Sequence, residues 1–511
     1  MPLNRRNWRI CAGLLGLLLL TQWNWFGMPF ERDEGEYAYS AWILRNGGVP
    51  YRDAFLQKPP MIIFTYAAAQ ALSETSVWPP RLLAFGFVVL TLALVGWIAR
   101  QEYGQRCGWT AAWLFIPILA FHALSPFAAN TEKFMILPLM ATVALHLQGR
   151  HRPGIRVGLA AGACAALAVL YKPICLPVLG AVFLAWTLDV LRDKSGGPRW
   201  PCFILSVLAG GIATSLLVLA VFIRHHAFGD LWEATVAFNQ DYARHAAESR
   251  VFLLQLKRSV SGWWPLVLAI AWFCRDKPAR RWYWGGLLFL SLLVAHRDPH
   301  RHYYIMAAPF AAVMAARGLT GFSSWRLRRS KRDRHLSVAI AAVAALLLPV
   351  APWTVLSPAE LARKRYGYNP FIESAEVAAH LAACTSPSDS VYVAGSEPQI
   401  LFHAKRRSTT RFVIAYPLMI PTRFALPYQE EVRQALEHHP PAAIVLANVE
   451  TSWLPHPRTT PDFFAFLKPF LDARYHPAGR YVWNDGRGAW IKGPESPGQG
   501  LESLILYRRN E

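Results

Sequence analysis

Apolar and polar residues alternate along this chain in blocks the length of whole helices. After a basic start (Arg5, Arg6, Arg9), residues 10–30 are largely apolar. Further apolar windows follow at 81–99, 108–124, 134–148, 157–171, 174–191, 202–223, 261–274, 283–295, 303–316 and 336–355. Each is long enough, or nearly so, to cross the roughly 30 Å of hydrocarbon in a bilayer. The pattern predicts about eleven membrane-spanning helices, with 157–191 read as one hairpin or two short spans. The first block ends in Gln22-Trp23-Asn24-Trp25-Phe26, whereas signal peptidase cleaves after small residues, so it is read as an uncleaved span.

The texture changes at Ser357, where Pro and charges appear and apolar runs shorten. Periodicity predicts helices over 371–384, 429–439 and 461–473, and strands over 390–394 and 442–447. Segments 480–483 and 489–492 read as a closing hairpin. The expected organisation is a membrane domain over 1–356, with a first outer loop at 31–78, and a small α/β domain over 357–511. Neither G-x-G-x-x-G nor a P-loop occurs, so no nucleotide site is assigned.

Composition supports a membrane class: of 511 residues 54% are hydrophobic and only 17% charged, against about a quarter charged in soluble domains. The net charge of +21 invites a nucleic-acid reading, but its distribution argues otherwise. With the N-terminus inside, the even-numbered connections carry Arg100 and Arg106; Arg150, Arg152 and Arg156; Arg192, Lys194 and Arg199; Arg275, Lys277, Arg280 and Arg281; and the basic run from Arg317 to Arg334. All fall on one side, as the positive-inside bias demands. The N-terminus is then cytoplasmic, the C-terminal domain lies outside the cell's inner membrane, and no nucleic-acid partner is needed. Seven cysteines are scattered without metal or disulfide spacing.

Candidate chemistry concentrates in the first outer loop. Glu31, Asp33, Glu34 and Glu36 crowd into six residues, and Lys58 follows before Pro59 and Pro60. The structural reading makes Asp33 a helix N-cap with Glu36 at the third position. The functional reading makes a carboxylate the general base toward an acceptor, and Lys58 a point charge for a lipid-linked phosphate; a lysine snorkelling at an interface is the plain alternative. Glu132 is read either as a boundary pair with Lys133 or as a second acid. Lys172-Pro173 is either a span boundary or part of a donor groove. In and just before 297–304, His296, His300 and His302 fit no familiar zinc spacing, so a basic phosphate clamp led by Arg301 is preferred. The amphipathic 224–258 stretch is expected to lie on the membrane, with no residue in it compelling a role.

At this point the residues resemble a family. Asp33-Glu34-Gly35-x-Tyr37-Ala38, Gly48-x-Pro50-Tyr51-x-Asp53 and Lys58-Pro59-Pro60 look like the first outer loop of GT-C glycosyltransferases. The similarity is to bacterial relatives of the protein O-mannosyltransferases, to lipid A aminoarabinose transferases and to rhizobial lipopolysaccharide glycosyltransferases. His302-Tyr303-Tyr304 with Ala308-Pro309-Phe310 is similar to a later span motif there. The resemblance implies inverting transfer of a sugar from a polyprenyl-phosphate donor to a cell-envelope acceptor, such as lipid A, another glycan or a protein hydroxyl. It implies Asp33 as catalytic base with Glu34 beside it. Lys58 would bind the donor phosphate, with Arg301, His302 and Lys172 as further cations. Glu132 would match the second-loop acid, with Tyr37 and Tyr304 in support. Family members differ over divalent metals, so a metal cofactor is left open. Two other classes compete: a lipid-linked-sugar flippase, which needs charges at mid-span depth, and a non-catalytic scaffold. The spans are expected to lack buried ion pairs, against the flippase.

Overall fold

The computed structural model describes residues 5–124, 126–150, 154–192, 200–246, 263–278, 280–297, 301–326, 333–456, 458–459, 462–484, 487–493 and 500–511. Arg152, Lys194, Arg199, Arg328, Arg329, Lys331, Arg332, Asp298, His300 and the second part of the 224–258 stretch lie outside them, as does the side chain of His296. The chain divides into two compact units. One holds Met1–Phe26, Arg81–Leu219 and Ala247–Leu356; the other holds Gly27–Pro80, Ala220–Ala246 and Ser357–Glu511. The first outer loop and part of the amphipathic stretch thus cluster with the C-terminal region.

The described part of the first unit is helical. Over the whole described chain, five helices are long and apolar enough to cross a membrane: Asn7–Gly27, Trp78–Tyr103, Pro173–Arg192, Trp200–Arg224 and Arg301–Ser323. Shorter apolar helices include Ile155–Tyr171, Arg281–Ala295 and Leu336–Leu347. The 157–191 window resolves into two helices, Ile155–Tyr171 and Leu176–Arg192, joined by a 3-10 turn. Leu205, Ile212, Leu216 and Leu217 are exposed on the Trp200–Arg224 helix, an apolar face that suits lipid rather than water. That helix meets Ile155–Tyr171 backbone to backbone: a Cβ on Gly162 would stand 1.9 Å from the Val207 carbonyl oxygen, the small-residue contact typical of membrane helices. The aromatic end of the first span is built into this unit. Asn24 Nδ2 donates to the Trp353 carbonyl at 2.7 Å, and the buried Arg81 donates to the Trp25 carbonyl at 2.7 Å.

Glu132 and Lys172, which lie outside the apolar windows, form a buried ion pair in this unit. Within the windows, His146 Nε2 lies 3.1 Å from Asp189 Oδ2. Arg280 reaches the same Asp189 oxygen at 3.2 Å, and Arg150 pairs with Glu102 at 3.2 Å. The partners lie far apart in sequence, so no local pattern reveals them.

In the second unit a six-stranded mixed sheet runs in the order β2-β1-β3-β6-β4-β5. The strands are β1 Ser390–Ala394, β2 Arg407–Ser408, β3 Ala443–Ala447, β4 Tyr475–Asn484, β5 Arg487–Lys492 and β6 Leu501–Arg509. β1 pairs in parallel with β2 and β3, and β6 lies antiparallel between β3 and β4. The expected hairpin exists as β4 and β5 and ends the sheet on one side. β6, which buries Leu504, Ile505 and Leu506, joins that hairpin to β3. The helix expected at 429–439 begins earlier, as Ala425–His438. The Pro398–Ala404 helix was not foreseen.

That short helix packs on the acidic helix of the first outer loop, Arg32–Arg45, in the same unit. The approach is possible because position 35 is glycine: a Cβ there would stand 2.7 Å from the Gln399 amide nitrogen and 2.9 Å from its Cβ. Gly35→Ala is expected to force the helices apart at a cost of about 1–3 kcal/mol, as overpacking does, read as a lower Tm of the purified protein in lipid. An unchanged Tm would show that Gln399 yields freely.

Candidate active site

The Arg32–Arg45 helix begins two residues earlier than the sequence suggests. Its N-cap is Glu31, not Asp33. The Glu31 carboxylate accepts from the amides of Asp33 at 3.2 Å and Glu34 at 3.3 Å, while Glu34 Oε2 accepts from the Glu31 amide at 3.5 Å. This is a capping box, and negative charge suits a helix N-terminus. Glu31 and Glu34 are thereby committed to starting the helix. Asp33 stays partly exposed, and Glu36, one turn on, is buried. Arg32 anchors the same turn. Its Nε donates to the Ser396 carbonyl at 2.7 Å, and its Nη2 lies 2.9 Å from Glu397 Oε1 and 3.3 Å from Asn369 Oδ1. Gln399 Nε2 in turn donates to Glu397 Oε2 at 2.6 Å.

Lys58 is delivered by a rigid strap. The Asp53 carboxylate accepts from the Val49 amide at 2.6 Å, and the Tyr51 amide donates to the Ala54 carbonyl at 2.8 Å. Tyr51 takes φ +73°, left-handed backbone that a bulky residue rarely adopts. Its hydroxyl donates to the Lys58 carbonyl at 2.9 Å. One residue earlier, Asn239 Nδ2 donates to the Gln57 carbonyl at 2.8 Å. Phe55 packs among Phe238, Phe412 and Tyr428. The Gly48-x-Pro50-Tyr51-x-Asp53 motif therefore shapes the backbone that carries Lys58, and the 224–258 stretch acquires a role through Asn239 and Phe238. Lys58 itself is buried. Tyr37 is buried too and stacks edge-on against Tyr66 at 5.5 Å.

Glu36 was passed over as a helix-capping residue, yet it lies within electrostatic reach of both Asp33 and Lys58. Burial raises its pKa well above the usual carboxylate range; Asp33 raises it further and Lys58 opposes the shift. Its Oε1 is buried without a hydrogen-bond partner. Burial also raises Glu31, with Asp33 and Glu34 adding to the effect. Tyr51 is raised by burial and then by Glu36.

The remaining candidates lie in the other compact unit. Glu132 opens the Thr131–Gly149 helix and is fully buried. It pairs with Lys172, whose ammonium sits 3.4 Å above the Tyr303 ring. His302 Nε2 lies 3.8 Å from the same Glu132 oxygen. The alternative Glu132–Lys133 pairing is not formed: Lys133 donates to the Pro126 carbonyl and lies 3.5 Å from the Trp25 ring. Arg301 is partly exposed at the start of the Arg301–Ala307 turn, and Tyr304 is buried within it. No three His, Cys, Asp or Glu side chains among the described residues gather as a metal site.

The raised Glu36 makes a stability prediction. An acid whose folded pKa exceeds its unfolded value of about 4.3 leaves stability intact below that value and withdraws it as pH rises toward the folded pKa. The loss is about 1.4 kcal/mol per pH unit across that window. Glu36→Gln is expected to match wild type in Tm at low pH and exceed it at neutral and alkaline pH. Parallel Tm curves across the whole range would show that Glu36 does not titrate differently on folding.

Residues 57–209 match the family described as dolichyl-phosphate-mannose-protein mannosyltransferase. No curated protein sequence matches the chain. Among solved structures it is similar to ArnT from Cupriavidus metallidurans bound to undecaprenyl phosphate, at 14% identity, TM-score 0.60 and 98% coverage of each chain. It is also similar to the oligosaccharyltransferase AglB from Archaeoglobus fulgidus, in complex with an inhibitory peptide and a dolichol-phosphate. That match has 12% identity and TM-score 0.53, and covers 98% of this chain and 76% of that one. The domain match and the whole-chain likeness agree: this is an integral membrane protein with the fold of the GT-C glycosyltransferase superfamily.

Proposed function

We propose that the protein is a membrane glycosyltransferase that moves a sugar from a polyprenyl-phosphate donor to a cell-envelope acceptor, on the outer face of the inner membrane. The observation that carries this reading is the pairing, in one compact unit, of a partly exposed Asp33 at a helix start with Lys58 on a fixed strap. Two proteins of the same fold hold lipid phosphates, undecaprenyl phosphate in one and a dolichol-phosphate in the other, which supports a lipid-linked donor here.

Asp33 takes the proton of the acceptor hydroxyl as that oxygen attacks the anomeric carbon. The bond from that carbon to the phosphate oxygen breaks, and the lipid phosphate leaves with the electron pair. Attack opposite the leaving group inverts the anomeric configuration. Lys58 stabilises the charge that grows on the departing phosphate. Glu34, held in the capping box, fixes the helix turn that carries Asp33. Arg301 and His302 belong to the other unit, where His302 Nε2 lies 3.8 Å from a Glu132 oxygen. Lys172, whose charge Glu132 already balances, serves to hold Glu132 in place.

The test uses purified protein in lipid with radiolabelled polyprenyl-phosphate sugars and an envelope extract as acceptor source. Asp33→Asn is expected to keep the wild-type Tm and lose transfer by about 10²–10⁴-fold, the usual worth of a general base. Lys58→Ala is expected to weaken donor binding and slow transfer. A fully active Asp33→Asn would sink the base assignment. Movement of label between leaflets without product would favour a flippase, and a partner captured by the protein with no donor consumed would favour a scaffold.

A further inference from the structure

The first span carries a basic cavity that sugar transfer does not use. Arg5, Arg9 and Gly13 recur every four residues along the Arg5–Gln22 helix, a spacing that sets them on one face. An open cavity of about 580 Å³ is lined by Arg5, Arg9, Ile10, Gly13 and Trp113. Trp113 comes from the Gln105–Ala120 helix of the same compact unit. Glycine at position 13 lets the two helices approach: a Cβ there would stand 3.1 Å from Trp113 Cη2, closer than the optimal separation of carbon atoms. The positive charge in this cavity is uncompensated. Residues 1–30 and 105–120 contain no Asp or Glu, and among the described residues neither Arg5 nor Arg9 has an ion pair. One turn apart, with Cβ atoms about 6 Å from each other, the two guanidinium groups can grip a single phosphate, the anion whose geometry they match best.

Depth in the membrane selects the ligand. Trp8, between the two arginines, is 64% exposed, and Trp23 at the far end of the span is 51% exposed. Indoles gather at the two membrane–water interfaces, so Arg5 and Arg9 stand at headgroup level. Gly13 and Trp113 lie further in, about 6 Å along the axis from Arg9 and about 12 Å from Arg5. A free anion would find no use for that apolar floor, whereas a lipid fits both parts. We infer that this cavity binds one anionic glycerophospholipid, its phosphodiester between Arg5 and Arg9 and the start of an acyl chain over Ile10, Gly13 and Trp113. The loop charges argue for a cytoplasmic N-terminus, and the cytoplasmic leaflet is the one rich in anionic lipid. The bound lipid neutralises two like charges and bridges the first span to its neighbour. It is a structural ligand, separate from the sugar donor.

The experiment titrates the full protein in detergent with phosphatidylglycerol or with phosphatidylcholine and follows the first bound lipid by native mass spectrometry. Wild type is expected to hold phosphatidylglycerol about thirtyfold more tightly, the worth of two basic side chains at an anionic headgroup. The double variant Arg5→Gln/Arg9→Gln should lose that preference. These charges also bear on orientation, so a second variant guards against failed insertion. Gly13→Leu fills the cavity and keeps both charges, and it should weaken phosphatidylglycerol binding towards that of phosphatidylcholine. Equal affinity of wild type for the two lipids would overturn the inference. So would a preference unchanged in the double variant or in Gly13→Leu, because the anionic lipid would then be held elsewhere. Inorganic phosphate is the last arm: phosphatidylglycerol should stay bound in its presence at millimolar concentration, and displacement would mark a site for free anions and overturn the assignment to a lipid.

Discussion

A carboxylate without water or a donor is among the costliest groups a fold can hold, and the structure around the first outer loop is organised by having to hold several. Glu34 and Glu36 are buried, and Glu31 and Asp33 stand beside them. No apolar stripe could dock such a helix start. It is held instead by polar means. Helix amides take up Glu31, Glu397 takes up Arg32, and a glycine lets Gln399 come close. At Glu36 the Oε1 has no hydrogen-bond partner. The groups acting on it by charge are Asp33 and Lys58, the two residues to which the chemistry is assigned.

How much of this was legible follows from the range over which each interaction acts. The β1 and β3 strands are local and match the sequence reading to within a residue, whereas the apolar blocks mark where helices lie but not their ends, as at 336–355, where the helix is Asp333–Leu347. The loop motifs were also visible, but their meaning was not. Gly48, Tyr51 and Asp53 turn out to shape the strap, because hydrogen bonds between residues four and seven apart determine where Lys58 sits. The four carboxylates look alike in one dimension, and their different fates depend on a cap two residues upstream of the expected one. Glu397 and Gln399, more than 360 residues from Arg32 and Gly35, left no mark in the local pattern. Glu132 shows the same lesson. Its neighbour Lys133 looked like its partner, but adjacent residues on a helix do not face each other, and the pair forms with Lys172 from another helix.

The buried ion pairs bear on the competing flippase reading. A path for a charged headgroup needs polar groups at mid-span depth. Glu132 lies in the first turn of its helix and Lys172 just past the end of its own. Glu102, His146 and Asp189 all lie in the last turns of theirs. Charges so placed brace helix ends against one another and line no path through the middle. The scaffold reading gives no reason for a buried lysine on this strap and a buried carboxylate whose Oε1 has no hydrogen-bond partner.

That strap carries its own argument. A free lysine holds about 2 kcal/mol of side-chain entropy, and a phosphate that must immobilise it loses that much affinity. Here the backbone is fixed first. Tyr51 accepts a left-handed conformation costing on the order of 1–2 kcal/mol, and Phe55, packed against Phe238, Phe412 and Tyr428, offsets it. Strain of this kind persists only where the surroundings over-determine it. Its effect here is to hold the Lys58 carbonyl through the Tyr51 hydroxyl, in a residue that is buried before any ligand arrives. A scaffold has no use for a preorganised cation, whereas a site that must recognise a departing phosphate does, because only groups already in place stabilise charge as it develops.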